Sequence, residues 1–160
     1  MKILFWQHSN DYDKVYRWLI IAVPVVAAAL SLWIGLRQSV WFDEAYSIMV
    51  AKRSASEIIR LSALDTHPPL YYLILKIWAN VFGWSELALR SLSVIFYGAS
   101  IAVAGCFIKK HFNARAAIYV LTMLLLAPLL MRYGFEVRMY AMASVSYTHL
   151  RAHETDSYLV

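Results

Sequence analysis

The chain has 160 residues, of which 61% are hydrophobic and only 16% charged, with a formal net charge of +5. A water-soluble domain of that length does not carry so large an apolar share, so composition points to an all-α integral membrane protein. The modest positive charge suits basic flanks beside lipid headgroups. No Lys/Arg run interleaves with aromatics on a polar face, which argues against a nucleic-acid partner. A single cysteine, Cys106, lies in an apolar run, so there is no disulfide framework and a small packing residue is expected there.

Residues 1–17 carry Lys2, Lys14 and Arg17 and read as a cytoplasmic N-terminus. The charge-free run 18–36 follows, between Arg17 and Arg37; at helical rise it covers roughly 28 Å, about one hydrocarbon core. Its Ala27-Ala28-Ala29 invites a signal-peptide reading, but the apolar run continues to Leu36, so a retained anchor is expected. Residues 37–90 form a long outer loop. It opens on Trp41-Phe42-Asp43-Glu44-Ala45-Tyr46 and continues through Asp65-Thr66-His67-Pro68-Pro69-Leu70-Tyr71-Tyr72 and Ser85-Glu86-Leu87-Ala88-Leu89-Arg90. Within it, 68–83 is apolar but short, opens on two prolines and holds Lys76, which predicts an interfacial helix rather than a span.

The second span is predicted over 91–108, with Gly98 and Gly105 suited to close helix packing. Lys109, Lys110, His111 and Arg115 make a compact basic turn that reads as cytoplasmic. The third span is predicted over 116–131, extendable by Tyr133 to Phe135. It leads into Arg132-Tyr133-Gly134-Phe135-Glu136-Val137-Arg138-Met139-Tyr140 on the outer side. Six basic residues in the outer loop (Arg37, Lys52, Arg53, Arg60, Lys76, Arg90) pull against this orientation.

After Ser144 the character changes. Val145-Ser146-Tyr147-Thr148-His149-Leu150-Arg151-Ala152-His153-Glu154-Thr155 resembles the in-frame translation of a transposase-type sequencing adaptor. Residues 145–160 are therefore expected to be an artefactual tail, and His149, His153 and Glu154 receive no metal reading.

The acids Asp43 and Glu44 stand where a membrane helix meets water, beside Trp41, Phe42 and Tyr46. Desolvation there is expected to raise a carboxylate's pKa and make it a better general base. Neighbours on a helix point about 100° apart, so one acid is expected as base and the other as its orienter or charge partner. Two ordinary solvated acids after a span is the competing reading. Arg132 and Arg138 offer guanidiniums for a phosphate. Arg132 and Glu136 equally make an i,i+4 surface pair if the helix continues, and Tyr140 equally fits an interfacial belt. His67, held extended by Pro68, suits a phosphate or sugar donor, a helix cap or, with Asp65, a metal ligand.

These four motifs, in this order over about 18–144, resemble a bacterial membrane glycosyltransferase of the family 39 type. That group is similar to protein O-mannosyltransferases and to the transferase that adds aminoarabinose to lipid A. The resemblance implies the N-terminal part of a polytopic bundle of the membrane glycosyltransferase C type, its active-site loop facing out of the bacterial cell membrane. It implies sugar transfer from a polyprenyl-phosphate donor to a lipid, glycan or protein acceptor, usually with inversion. Asp43 would be the catalytic base and Glu44 its support. His67, Arg132, Glu136, Arg138 and Tyr140 would serve donor-phosphate and substrate binding. Some members of the wider superfamily use a divalent metal, and no residue here is assigned to one. As a fragment, the chain is expected to lack activity alone. A small transporter and a non-catalytic membrane assembly subunit are the alternatives.

Overall fold

The computed structural model describes residues 2–64 and 67–158, with side chains from 11 to 64 and 67 to 150. Among these residues every regular element is helical: α1 (Lys2–Gly35), α2 (Phe42–Ala51), α3 (Ala55–Leu64), α4 (Pro69–Phe82), α5 (Glu86–His111), α6 (Ala114–Leu125), α7 (Pro128–Phe135) and α8 (Tyr140–Tyr158). By length and composition, Asp11–Gly35 and Glu86–His111 can each cross a membrane, and α6 with α7 makes a third candidate if the pair is one span. Trp18, Ile21, Val25, Ile95 and Met123 are exposed on these helices, as lipid-facing side chains should be.

The spans pack through small residues. A Cβ on Gly105 would meet Ile20 and Leu121 below 3.0 Å, so α1, α5 and α6 approach closely there only because that side chain is missing; one on Gly98 would stand 3.4 Å from the Pro24 carbonyl oxygen, at ordinary contact distance. A core of Val23, Ala27, Tyr97, Ile101, Ala117 and Leu121 fills the space between them. Cys106 departs from the packing expectation: it is exposed on α5, its sulfur 3.8 Å from the Tyr16 hydroxyl.

The uninterrupted third span expected over 116–131 is instead a bent pair, α6 and α7 meeting at 67°. Pro128 causes the break. It has no N–H for the Leu124 carbonyl, and it drives Ala127 to an extended φ −87°, ψ 98°. The Ala127 N–H takes up the Leu124 carbonyl at 3.5 Å, and Ser31 of α1 donates to the Met131 carbonyl at 2.7 Å. Neighbouring groups thus satisfy backbone freed within the apolar layer.

The stretch 37–90 is folded on the end of the spans. Val50, Ile58, Tyr71, Leu75 and Ala79 of α2 to α4 share a core with Leu89 and Leu92 of α5 and with Val137. Tyr71 and Ser93 hydroxyls bond at 3.1 Å, and the Trp78 indole donates to the Ala88 carbonyl at 2.9 Å. Lys76, out of place in an apolar run, donates to the Arg53 carbonyl at 2.7 Å and ties α4 to the α2–α3 turn. Pro69 begins α4 where no N–H is needed, and Gly83, at φ +95°, ends it. Ser85 caps α5 by accepting the Ala88 N–H at 3.2 Å. α8 runs across positions 144 and 145 without interruption.

Candidate functional site

The acid pair opens α2, and the helix separates its members as the 100° rotation requires. Glu44 turns inward and is fully buried, whereas Asp43 keeps about a third of its side chain exposed. Such burial is tolerable for a carboxylate only with donors on its oxygens. Glu44 has four. Arg90 donates through Nε to Oε1 at 3.2 Å and through Nη2 to Oε2 at 2.9 Å, the paired geometry that guanidinium suits best. The Val137 N–H reaches Oε1 at 3.1 Å, and the Trp41 N–H reaches Oε2 at 3.4 Å, closing the first turn of α2.

Arg90 is fully buried, and its remaining nitrogen, Nη1, donates to the carbonyls of Gly35 and Gln38. Those carbonyls belong to the end of α1 and the turn that follows it, so a single side chain joins α1, α2 and α5, and through Glu44 the 136–138 loop as well. Glu86, one turn before Arg90, adds a carboxylate at 3.5 Å from Nη1. Sequence reasoning placed Arg90 in a polar cluster but assigned it no role. The signal was a guanidinium at the first turn of an apolar helix, where an unpaired charge would be costly.

The loop after α7 delivers the other half of the site. Gly134 makes the approach possible: a Cβ there would lie 2.7 Å from the Tyr97 ring and 3.0 Å from the Ser31 hydroxyl. The Arg138 N–H bonds the Glu136 carbonyl at 2.7 Å, a tight turn around Val137 that points residues 136 and 138 into the site. Arg138 Nη2 lies 3.5 Å from Asp43 Oδ2 and 3.3 Å from the Tyr140 hydroxyl, so Arg138 and Tyr140, which had no evident local partners in sequence, are partners of each other. Burial opposes the Arg138 charge, but the Tyr140 hydroxyl and the nearby Asp43 outweigh it and hold its pKa above the ordinary value.

Glu136 is 2% exposed, yet only its Oε1 faces a cation, Arg132 Nε at 3.8 Å; Oε2 has no hydrogen-bond partner, nor does Arg138 Nε. The helix does not continue through this pair as the i,i+4 reading required, because α7 ends at Phe135 and Glu136 is its extended C-cap. Arg132 remains largely exposed. Burial, and after it the Glu44 carboxylate, push the Glu136 pKa up. His67 is half-buried just ahead of Pro68, and Asp65 and Thr66 lie outside the described residues. Among the described residues no group of three or more His, Cys, Asp or Glu side chains could hold a metal ion.

Beside this cluster lies a cavity of about 550 Å³, lined by Tyr97, Ser100, Leu124, Leu130, Tyr133 and Tyr140 among others. Tyr140 belongs to both: its ring forms the cavity wall, stacked edge-on against Tyr133, and its hydroxyl meets Arg138.

Spanning helices with an acid–guanidinium cluster at one end, next to an apolar cavity, define an all-α membrane protein with a polar site at the membrane boundary. The family model for dolichyl-phosphate-mannose-protein mannosyltransferases matches residues 66–160, more than half of the chain. The chain belongs to that family of membrane glycosyltransferases of the mannosyltransferase type. No curated protein and no solved structure matches it. The matched stretch holds Arg90, Arg132, Glu136, Arg138 and Tyr140 and begins after α2. The Arg90–Glu44 and Arg138–Asp43 pairs join it to the acid-bearing helix.

Proposed function

We propose that this chain carries the acceptor-side base and part of the donor-phosphate site of an enzyme that moves a sugar from a polyprenyl-phosphate to an acceptor hydroxyl. The pairing of Asp43 with Arg138 beside an apolar cavity carries the reading. A lipid-linked sugar phosphate needs an apolar seat for its chain and a cation at its phosphate, and here one tyrosine touches both.

In the resting site Arg138 neutralises Asp43. An arriving phosphate competes for the guanidinium and frees the carboxylate. Asp43 then takes the acceptor hydroxyl's proton while that oxygen attacks the sugar's anomeric carbon. The bond from that carbon to the phosphate oxygen breaks, and the electron pair leaves on a phosphate that Arg138 stabilises, with Arg132 at the exposed rim. Attack opposite the departing phosphate inverts the anomeric centre. Glu44 does not touch substrate in this scheme; it positions α2 against the 136–138 loop. His67 is assigned to the acceptor or phosphate side, and the acceptor is a lipid, glycan or protein hydroxyl.

The site lies on the outer face of a bacterial cell membrane, with the Lys109–Asp13 end of the bundle in the cytoplasm; the basic turn at 109–115 supports that orientation. The test is Asp43→Asn in the intact enzyme. Loss of a general base lowers kcat by about 10²–10⁴, while donor binding is kept or tightened because Arg138 loses its competing carboxylate. Undiminished sugar transfer by that variant would sink the base assignment.

A further inference from the structure

Two glutamates are buried in this cluster, and they are treated in opposite ways. Glu44 receives two guanidinium and two backbone donors. Glu136, at 2% exposure, has one oxygen 3.8 Å from a largely exposed guanidinium and the other with no partner. A buried carboxylate left with a bare oxygen is disfavoured against its protonated form, which carries no net charge to desolvate.

The surroundings rescue the charge only in part. α2 presents Asp43 and Glu44, both repelling a second anion; Arg132 of α7, from the exposed side, and Arg138 of its own loop, whose Nη2 is engaged by Asp43 and Tyr140, attract it, and burial with the Glu44 carboxylate outweighs them. Arg90 of α5 is taken up by Glu44, and Tyr72 of α4 sits near Arg138. With Glu136 neutral, Asp43, Glu44 and the half-exposed Glu86 balance Arg90, Arg138 and Arg132. With Glu136 ionised, the site carries a net negative charge, next to where an anion has to bind.

We propose that Glu136 is held as a neutral acid and that its proton sets the charge of the donor site: a phosphate binds while Glu136 is protonated and is expelled when it ionises. The inference rests on the reading of Arg138 as a phosphate ligand. Glu136 is a positioning and charge-setting residue in it, not a group that reacts.

The test uses the full chain in lipid nanodiscs at a series of pH values, with two measurements. Infrared difference spectra between the wild-type chain and Glu136→Gln, an isosteric neutral variant, report the carbonyl stretch of a protonated carboxyl. Binding of farnesyl phosphate reports the site. The stretch is expected at neutral pH in the wild-type chain, and to vanish on alkalinisation. Apparent affinity scales with the competent fraction, so wild-type affinity relative to Glu136→Gln should fall about tenfold per pH unit above that titration. The ratio cancels the phosphate's own ionisation. If Glu136→Gln loses helix content by circular dichroism, Glu136→Met, which is equally uncharged and of similar length, takes its place in both measurements.

Absence of the stretch at neutral pH overturns the proposal. So does an affinity ratio that stays flat across the titration, although phosphate binding itself would then stand. A titrating stretch with no farnesyl phosphate bound at any pH keeps the neutral acid but overturns the donor-site reading and the gating built on it.

Discussion

Arg90→Met is the sharpest probe of how the site is held. The guanidinium is fully buried and satisfies both oxygens of Glu44, as well as the Gly35 and Gln38 carbonyls. Methionine fills much of the same volume, so a cavity contributes little, and the effect comes from the unpaired Glu44 charge. Breaking a buried pair by removing one partner costs about 3–5 kcal/mol. At 1.4 kcal/mol per decade, a loss near 4 kcal/mol lowers the folded-to-unfolded ratio about a thousandfold. Glu44→Gln should cost about 3 kcal/mol, because Arg90 keeps its carbonyl acceptors and Glu86 at 3.5 Å. The double variant removes both charges together, so its cost should fall short of the sum by at least about 2 kcal/mol. The assay is equilibrium unfolding in detergent micelles, followed by far-UV circular dichroism, for all four chains. Additive losses, with a coupling energy below about 0.5 kcal/mol, would show that Arg90 and Glu44 do not act as a pair and would refute the account of how α2 is fixed to the 136–138 loop.

Gly134→Ala and Gly98→Ala should differ in sign although both add one methyl to a packed helix. At Gly134 the methyl meets the buried Tyr97 ring at 2.7 Å and should cost about 1–3 kcal/mol in the same unfolding assay; at Gly98 the nearest atom stands at 3.4 Å, so the change should be neutral or slightly stabilising. Arg138→Lys keeps the charge but loses the planar contact to Asp43 and Tyr140, and should weaken farnesyl phosphate binding about tenfold in a calorimetric titration. The raised pKa of Glu136 makes a statement about stability as well. The folded state holds that proton more tightly than the unfolded chain does, so its contribution is largest below the ordinary value of 4.5 and is lost as pH rises through the folded pKa. Unfolding midpoints of the wild-type chain should therefore drop relative to Glu136→Gln as pH rises through that window, and parallel pH profiles would contradict the assignment.

The bundle's composition was legible because a bilayer demands long charge-free runs with internally satisfied backbone, a constraint written residue by residue. The spans at 18–36 and 91–108 follow from it. The 68–83 segment was set apart from them by its shortness, its prolines and Lys76, and its 14-residue helix α4 packs against α5. The bend in the third candidate span was half legible. Pro128 was visible, but a proline in a span is compatible with a straight helix when neighbours absorb the freed carbonyl. Only the contact of Ser31 with Met131, a hundred residues apart, shows how the break is accommodated.

The candidate site divides in the same way. Asp43, Glu44, Arg132, Glu136, Arg138 and Tyr140 were all visible as polar residues at the ends of apolar runs. Which acid is buried, and which guanidinium it meets, was not. Glu44 and Arg90 are 46 residues apart and Asp43 and Arg138 further still, and no local pattern encodes such a pairing.

The sequence by itself determined that this is a helical membrane protein with charges gathered at the ends of its spans, because transfer of charge into hydrocarbon is costly wherever the chain goes. Tertiary structure alone decided the division of labour among those charges. Burial and donor count are properties of a folded environment, and they make Glu44 a locked anchor, leave Asp43 open beside Arg138, and leave Glu136 with one oxygen bare.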